Sequence, residues 1–401
     1  MQRNAIARWA LNLGLVVVFA APVLAAQPEI VGKWDLTIGN GPTPSWIGID
    51  LKDGKLHGRF LDTAGGVHPI GEVKYDAPKV EFTDKGNRTW TGTLEGDTIT
   101  GERVEKNGQG RTKWTGKRFV PQINVSGAWR FDGKDKVVLW LRHQDSQIRG
   151  GLSEGDERPE RIQDAKLDGY TLTFSVPGEQ YTATVKGDVL DGVMAEEGGK
   201  KYEFKATRQR EWGEPIELFN GKNLDGWKPL GDPNNFKWSV ENGLMRCAGG
   251  SANIVSERKF GDFKLHVEFK VPEGGNSGVY LRGRHEVQVA DSHGRNPEPG
   301  SCGSMYSRIV AKETACKPHT EWQVFDITFI NHAVTVVHNG KTIIDNELVE
   351  GITGGAIDSR ESEPGPIYLQ GDHSAVDYRK VTITPAKPPT AGRRGQRGAG
   401  S

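Results

Sequence analysis

The stretch that decides the fold runs from Gly274 to Gly294 and reads GGNSGVYLRGRHEVQVADSHG. It opens with a glycine-rich turn, where glycine supplies backbone angles that other residues avoid. Alternation follows. Successive side chains of a strand point to opposite faces, so Val279 and Leu281 share one face and Tyr280 and Arg282 the other. Past Gly283 the pattern resumes, with Val287 and Val289 on the apolar face and Glu286 and Gln288 on the polar one. The apolar face fixes the strands to a core. The polar face presents an aromatic, a cation, a carboxylate and an amide, a set suited to a polyhydroxylated ligand.

Outward from this stretch the same period of two recurs. Phe263, Leu265, Val267, Phe269 and Val271 share one face of a strand, and Lys264, His266, Glu268 and Lys270 the other. Residues 322–330 and 334–337 repeat the pattern, and Asn339-Gly340 is a strong two-residue hairpin turn. Residues 367–370 and 376–383 complete the set. A dozen or so strands with no helical periodicity predict a two-sheet jelly-roll sandwich.

Upstream, residues 30–210 hold an internal repeat. Gly32-Lys33-Trp34 echoes Gly127-Ala128-Trp129, and Gly92 to Asp97 echoes Ala183 to Asp188. Each copy is a run of short alternating segments broken by Gly/Asp turns, an antiparallel meander of the kind that curls into small barrels. Whether the copies make two barrels or share one sheet stays open. Trp34, Trp90, Trp114 and Trp129 fit a barrel core, with sugar stacking as the alternative reading.

Composition agrees with an all-β chain of several domains: 401 residues, 53 of them glycine. Residues 1–26 read as a signal peptide, with Arg3 and Arg8 before an apolar run and cleavage near Ala25/Ala26. That run is too short for a membrane span, so an exported protein without membrane insertion is expected. The expected domains are 27–121 and 122–210 (the two meanders), 214–386 (the sandwich) and 387–401 (a disordered tail). The chain has 52 basic and 52 acidic residues, and loss of Arg3 and Arg8 leaves it slightly acidic. This disfavours nucleic acid as a partner. Of the three cysteines, Cys302 and Cys316 are placed to form a disulfide in an oxidising compartment, leaving Cys247 buried. The absence of CxxC spacing argues against a metal site built on them.

From about Glu214 to Pro385 the chain resembles the 3-keto-disaccharide hydrolase domain family. The motifs that carry the resemblance are ELFNGKNLDGW (217–227), NSGVYLRG (276–283), EVQVAD (286–291), EWQVFDITF (321–329), HNGK (338–341) and PIYLQGDH (366–373). His285 and Gln323 depart from the aromatic and the asparagine expected there. The resemblance implies a concanavalin/glucanase-like sandwich, a small carbohydrate substrate, and cleavage of a glycoside already oxidised to a ketone at C3. The ketone acidifies the C2 proton; a base removes it, the C1 substituent departs, and water adds back. Such chemistry needs one base and one stabiliser of the developing oxyanion, not two opposed carboxylates.

In that scheme Glu286 is the expected base, Arg282 the stabiliser, and His293 a further catalytic candidate. Gln288, Tyr280, Asn276, Gln370 and His373 are the expected substrate-binding groups, with His319 and Trp322 as outer prospects. No cofactor is required, although Glu286, Asp291 and His293 are a candidate set for a divalent metal. The competing readings are a non-catalytic, lectin-like protein and an ordinary glycosidase using Asp326 or Asp372 as a second carboxylate.

Overall fold

The computed structural model describes residues 28–41, 43–62 and 64–388; the expected signal peptide lies outside them. Among the described residues there is no α-helix, and the chain divides into two compact units. One holds Pro121–Glu214 and the stretch from Pro385 onward; the other holds the first repeat together with Pro215–Thr384.

The two repeats are two separate barrels. In the first, nine strands follow in order from Gly32–Ile38 to Arg111–Arg118, and Gly32–Ile38 pairs with both its successor and the last strand. The two sheet edges, Val67–Glu72 and Lys74–Asp76, are joined through Val73, so the sheet curls around a core of Trp34, Trp90, Trp114, Phe60 and Phe82. The second repeat has the same strand order around Trp129, Phe174 and Tyr181. The copies match in detail. Trp34 Nε1 donates to Ile30 O and Trp129 Nε1 to Val125 O, both at 2.9 Å. Arg118 lies over the Trp34 ring and is held by Asp97; Arg208 lies over Trp129 and is held by Asp188. All four tryptophans named above are therefore core, not sugar platforms.

In the 215–384 segment two sheets face each other. The larger runs Trp238–Glu241, Leu244–Cys247, Val376–Pro385, Phe263–Lys270, Gln323–Ile330, Ala333–His338 and Lys341–Leu348, with Ile216–Glu217 added on Val376–Pro385. The smaller runs Trp227–Leu230, Asn253–Phe260, Gly365–Leu369, Asn276–Leu281 and His285–Ala290. Val279, Leu281, Val287 and Val289 enter the common core with Phe263, Leu265, Val267 and Phe269, as the alternation predicts. Burying each such side chain contributes roughly 1.5–3 kcal/mol before chain entropy is counted.

Two expectations change, the disulfide and the start of the tail, and the first repeat is found packed on the sandwich. Trp46 Nε1 donates to Ile352 O at 3.0 Å, Trp46 and Leu61 pack with Ile352 and Ala356, and the buried Lys33 pairs with the buried Glu361. Hydrophobic periodicity reports a strand's own core and carries no signal for this secondary contact. Cys302 and Cys316 are adjacent but remain free thiols. The expected tail begins later, because Lys387 N donates to Glu211 O at 2.9 Å and Ala386 bridges Trp212. The rest of the tail, 389–401, lies outside the described residues.

Candidate active site

The outer face of the five-stranded sheet gathers most of the expected groups. Strand register sets two rows of side chains across it. One row is Lys228, Val255, Tyr368, Tyr280 and Glu286. The next includes Leu230, Asn253, Gly278 and Gln288, with Gln370 beside Gly278 through its N–H to Gly278 O (2.9 Å). Asn276 follows at the strand end. The loop 371–374 closes this end: Gly371 N and Asp372 N donate to Asn253 Oδ1, and Asn276 N donates to Ser374 Oγ.

Glu286 is the centre of the face and is only 4% exposed. Its carboxyl lies across Gly278, where an added Cβ would sit 3.0 Å from Glu286 Cδ. Glycine is thus required for the carboxyl to cross to the neighbouring strand. Burial pushes its pKa up to about 8; the Tyr280 hydrogen bond opposes this and the Asp372 charge adds to it. The hydrogen bonds also accommodate a neutral carboxyl. Tyr280 Oη lies 2.9 Å from Glu286 Oε2 and 2.7 Å from Gly354 O. A phenol has one proton and a backbone carbonyl can only accept. When Tyr280 donates to Gly354, the proton on the 2.9 Å contact belongs to Glu286.

Around this pair, Tyr368 stacks on Tyr280 with centroids 4.1 Å apart. Burial keeps both phenols well above their usual range, so they stay neutral donors. Gln288 Nε2 donates to Asn276 Oδ1 at 3.1 Å; with the amide turned over it donates to Glu286 Oε1 at 3.0 Å. Gln370 Oε1 is buried without a hydrogen-bond partner, an acceptor available to a ligand hydroxyl. A loop roofs Tyr280 at one side. Thr353 Oγ1 accepts from Glu286 N, a Cβ at Gly355 would lie 2.6 Å from Tyr280 Oη, and Gly354 is pressed against Gly65 of the first barrel.

Two expected catalytic groups are elsewhere. Arg282 sits at φ 53° in the tight turn joining the two site strands, which swings it off the face that alternation assigned. Its guanidinium donates to Gly261 O, Glu361 O and Asp262 Oδ1 (2.8 Å) and covers the Phe329 ring at 4.6 Å. It holds the fold, not an oxyanion. His293 is exposed, with Nδ1 2.9 Å from Cys316 O. Asp291 accepts from Gly274 N. Among the described residues the metal-type donors that converge are Cys302, Cys316 and His338, not Glu286, Asp291 and His293.

His373 stands at the rim, half-exposed and 2.6 Å from Asp372. His319 lines a separate cleft with Lys237, Arg246 and Asp377, and Trp322 is covered by Lys270 and Arg379. Asp326 faces His266 on the other sheet. Sequence reading missed Tyr368, Gly278 and Thr353. The first two share the period of the residues it found, but which strands are neighbours is set by long-range pairing. Gln323, one of the family departures, fastens the connection before it by accepting from Lys317 N and donating to Lys317 O.

Comparison with known proteins places this site in a recognised domain. Residues 214–384 match the family model described as the 3-keto-alpha-glucoside-1,2-lyase-like domain, so the resemblance read from the motifs holds for that segment. A 3-keto-disaccharide hydrolase of Bacteroides thetaiotaomicron is 26% identical over 170 residues, covering 33% of this chain and 58% of that protein. The chain therefore spans little more than half the length of this curated relative. Among solved structures, a candidate glycosyl hydrolase from Parabacteroides distasonis is 28% identical, covering 42% of this chain and 82% of that one, with a TM-score of 0.38. A second from the same organism is 22% identical, covering 43% and 93%, with a TM-score of 0.36.

Proposed function

We propose that the protein is an exported hydrolase of glycosides carrying a ketone at C3, acting by proton abstraction at C2, elimination and rehydration. The observation that carries this reading is the buried Glu286 carboxyl held over Gly278 beside Tyr280 and Gln288. The family matched by residues 214–384 and the name of the Bacteroides relative supply the substrate class. A carboxylate whose pKa is near 8 is a stronger base than an ordinary one and is suited to a carbon acid weakened by a ketone.

In the proposed cycle the Glu286 carboxylate takes the C2 proton and the electron pair moves onto the ketone oxygen as an enediolate. The C1–O bond then breaks. The protonated Glu286 is placed to return its proton to the departing oxygen, and water adds across the resulting double bond. Neutral amide donors at Gln288 and Gln370 take over the oxyanion role first assigned to Arg282. Asn276, His373 and Asp372 at the open end bind the second sugar. The test is a substrate pair: a 3-keto-disaccharide should release 3-keto-glucose, and its unoxidised parent should be inert. Equal turnover of the parent would point to an ordinary glycosidase; tight binding without turnover of either would point to a lectin.

A further inference from the structure

Three donors from an irregular connection and a strand end meet inside the sandwich. Cys302 and Cys316 lie on the long connection 291–322, and His338 ends the strand Ala333–His338. The two sulfurs and a His338 ring nitrogen lie within 4.8 Å of one another. His338 is fully enclosed, packed on Phe325 (centroids 4.8 Å) and Phe269, and neither of its ring nitrogens has a hydrogen-bond partner. A buried polar group left unsatisfied costs free energy. A disulfide between Cys302 and Cys316 would leave that imidazole as it is; a cation would give one of its two nitrogens a partner. The connection also needs fastening, since long segments without regular structure have few ties of their own.

We propose that Cys302, Cys316 and His338 bind one zinc ion, which ties the 291–322 connection to the larger sheet. Tetrahedral zinc with Zn–S of about 2.3 Å and Zn–N of about 2.0–2.1 Å places its donors about 3.5–3.8 Å apart. The observed cluster, within 4.8 Å, closes onto an ion when its donor separations shorten by at most about 1.3 Å. On binding, both thiols lose their protons to solvent, two S–Zn bonds and one N–Zn bond form, and no electron is transferred. The fourth vertex is left for water. Sequence spacing gives no hint of the site because two ligands sit fourteen residues apart on an irregular connection and the third ends a strand. The tie bears on the active face, because the same connection borders the Glu286 strand: Gln288 N donates to Ser304 O and Tyr306 N to Glu286 O.

The test uses the full chain, purified under reductant and transferred to anaerobic buffer, with zinc or cobalt chloride as the added probe. One zinc per chain should be retained after desalting, and cobalt should give thiolate charge-transfer and tetrahedral d–d bands. Zinc should block alkylation of Cys316, the half-buried thiol. Cys316→Ser should abolish the cobalt bands and Cys247→Ser should keep them. Should Cys316→Ser misfold, peptide-mapped alkylation of the wild type with and without zinc decides the matter. Sub-stoichiometric zinc, cobalt bands that survive Cys316→Ser, alkylation unaffected by zinc, or a Cys302–Cys316 disulfide in protein isolated without reductant would each overturn the proposal.

Discussion

Replacing Glu286 by glutamine tests the electrostatics of the site without reference to any substrate. The folded chain holds the Glu286 proton until about pH 8, whereas an unfolded glutamate releases it near 4.5. Between those values the native state binds one more proton than the unfolded state, so stability falls as pH rises, by about 1.4 kcal/mol per pH unit. Over the whole interval the contribution is on the order of 5 kcal/mol, present below the unfolded pKa and lost as pH passes the folded one. Glutamine keeps the shape and the contact with Tyr280 and has no proton to lose. The variant should gain stability relative to wild type as pH is raised from 5 to 9. Urea unfolding of both proteins at the two pH values, followed by tryptophan fluorescence, measures the difference directly. Parallel stabilities at both pH values would refute a proton-holding Glu286 and the hydrogen-bond accounting around Tyr280.

Other consequences follow from single contacts. Gly278→Ala puts a Cβ against the Glu286 carboxyl; a displacement of about 1 Å should lower kcat on a keto-sugar by about 10²-fold, with melting temperature as the control for folding. Arg282→Ala removes a buried guanidinium from the partly exposed Asp262 and from the carbonyls of Gly261 and Glu361. It should cost about 1–3 kcal/mol of stability while kcat per folded molecule holds, the opposite of what an oxyanion-stabilising arginine would show. The pH profile of kcat/KM on a keto-sugar should rise with pH and level off above about 8, because the base acts in its ionised form. Limited proteolysis should release 121–214, leaving 28–120 bound to 215–384 on gel filtration, since the first barrel and the sandwich form one unit.

The sequence made the strand faces legible because burial enforces a period of two: Val279, Val287 and the Phe263–Val271 row all point where alternation puts them. Glu286, Gln288 and Tyr280 share the opposite face for the same reason. Arg282 was misplaced because alternation fails at a turn with positive φ, and Gly283 beside it was the available warning. The internal repeat was visible in Gly-x-Trp and Gly-Asp spacing. The contacts of Trp46 with Ile352 and of Lys33 with Glu361 were not, since they join residues some three hundred apart with no local pattern. The Cys302–Cys316–His338 cluster was hidden likewise: spacing rules find metal ligands on neighbouring turns, and these are assembled by packing.

The claim on which the rest depends is that Glu286 removes a proton made acidic by a ketone. The most direct measurement compares wild type and Glu286→Gln on a 3-keto-disaccharide and on its unoxidised parent, following release of the C1 substituent. The account predicts turnover by wild type on the keto-sugar alone, reduced about 10²–10⁴-fold in the variant, with binding of the keto-sugar little changed. Comparable rates on the two sugars, or a variant as fast as wild type on the keto-sugar, would contradict it.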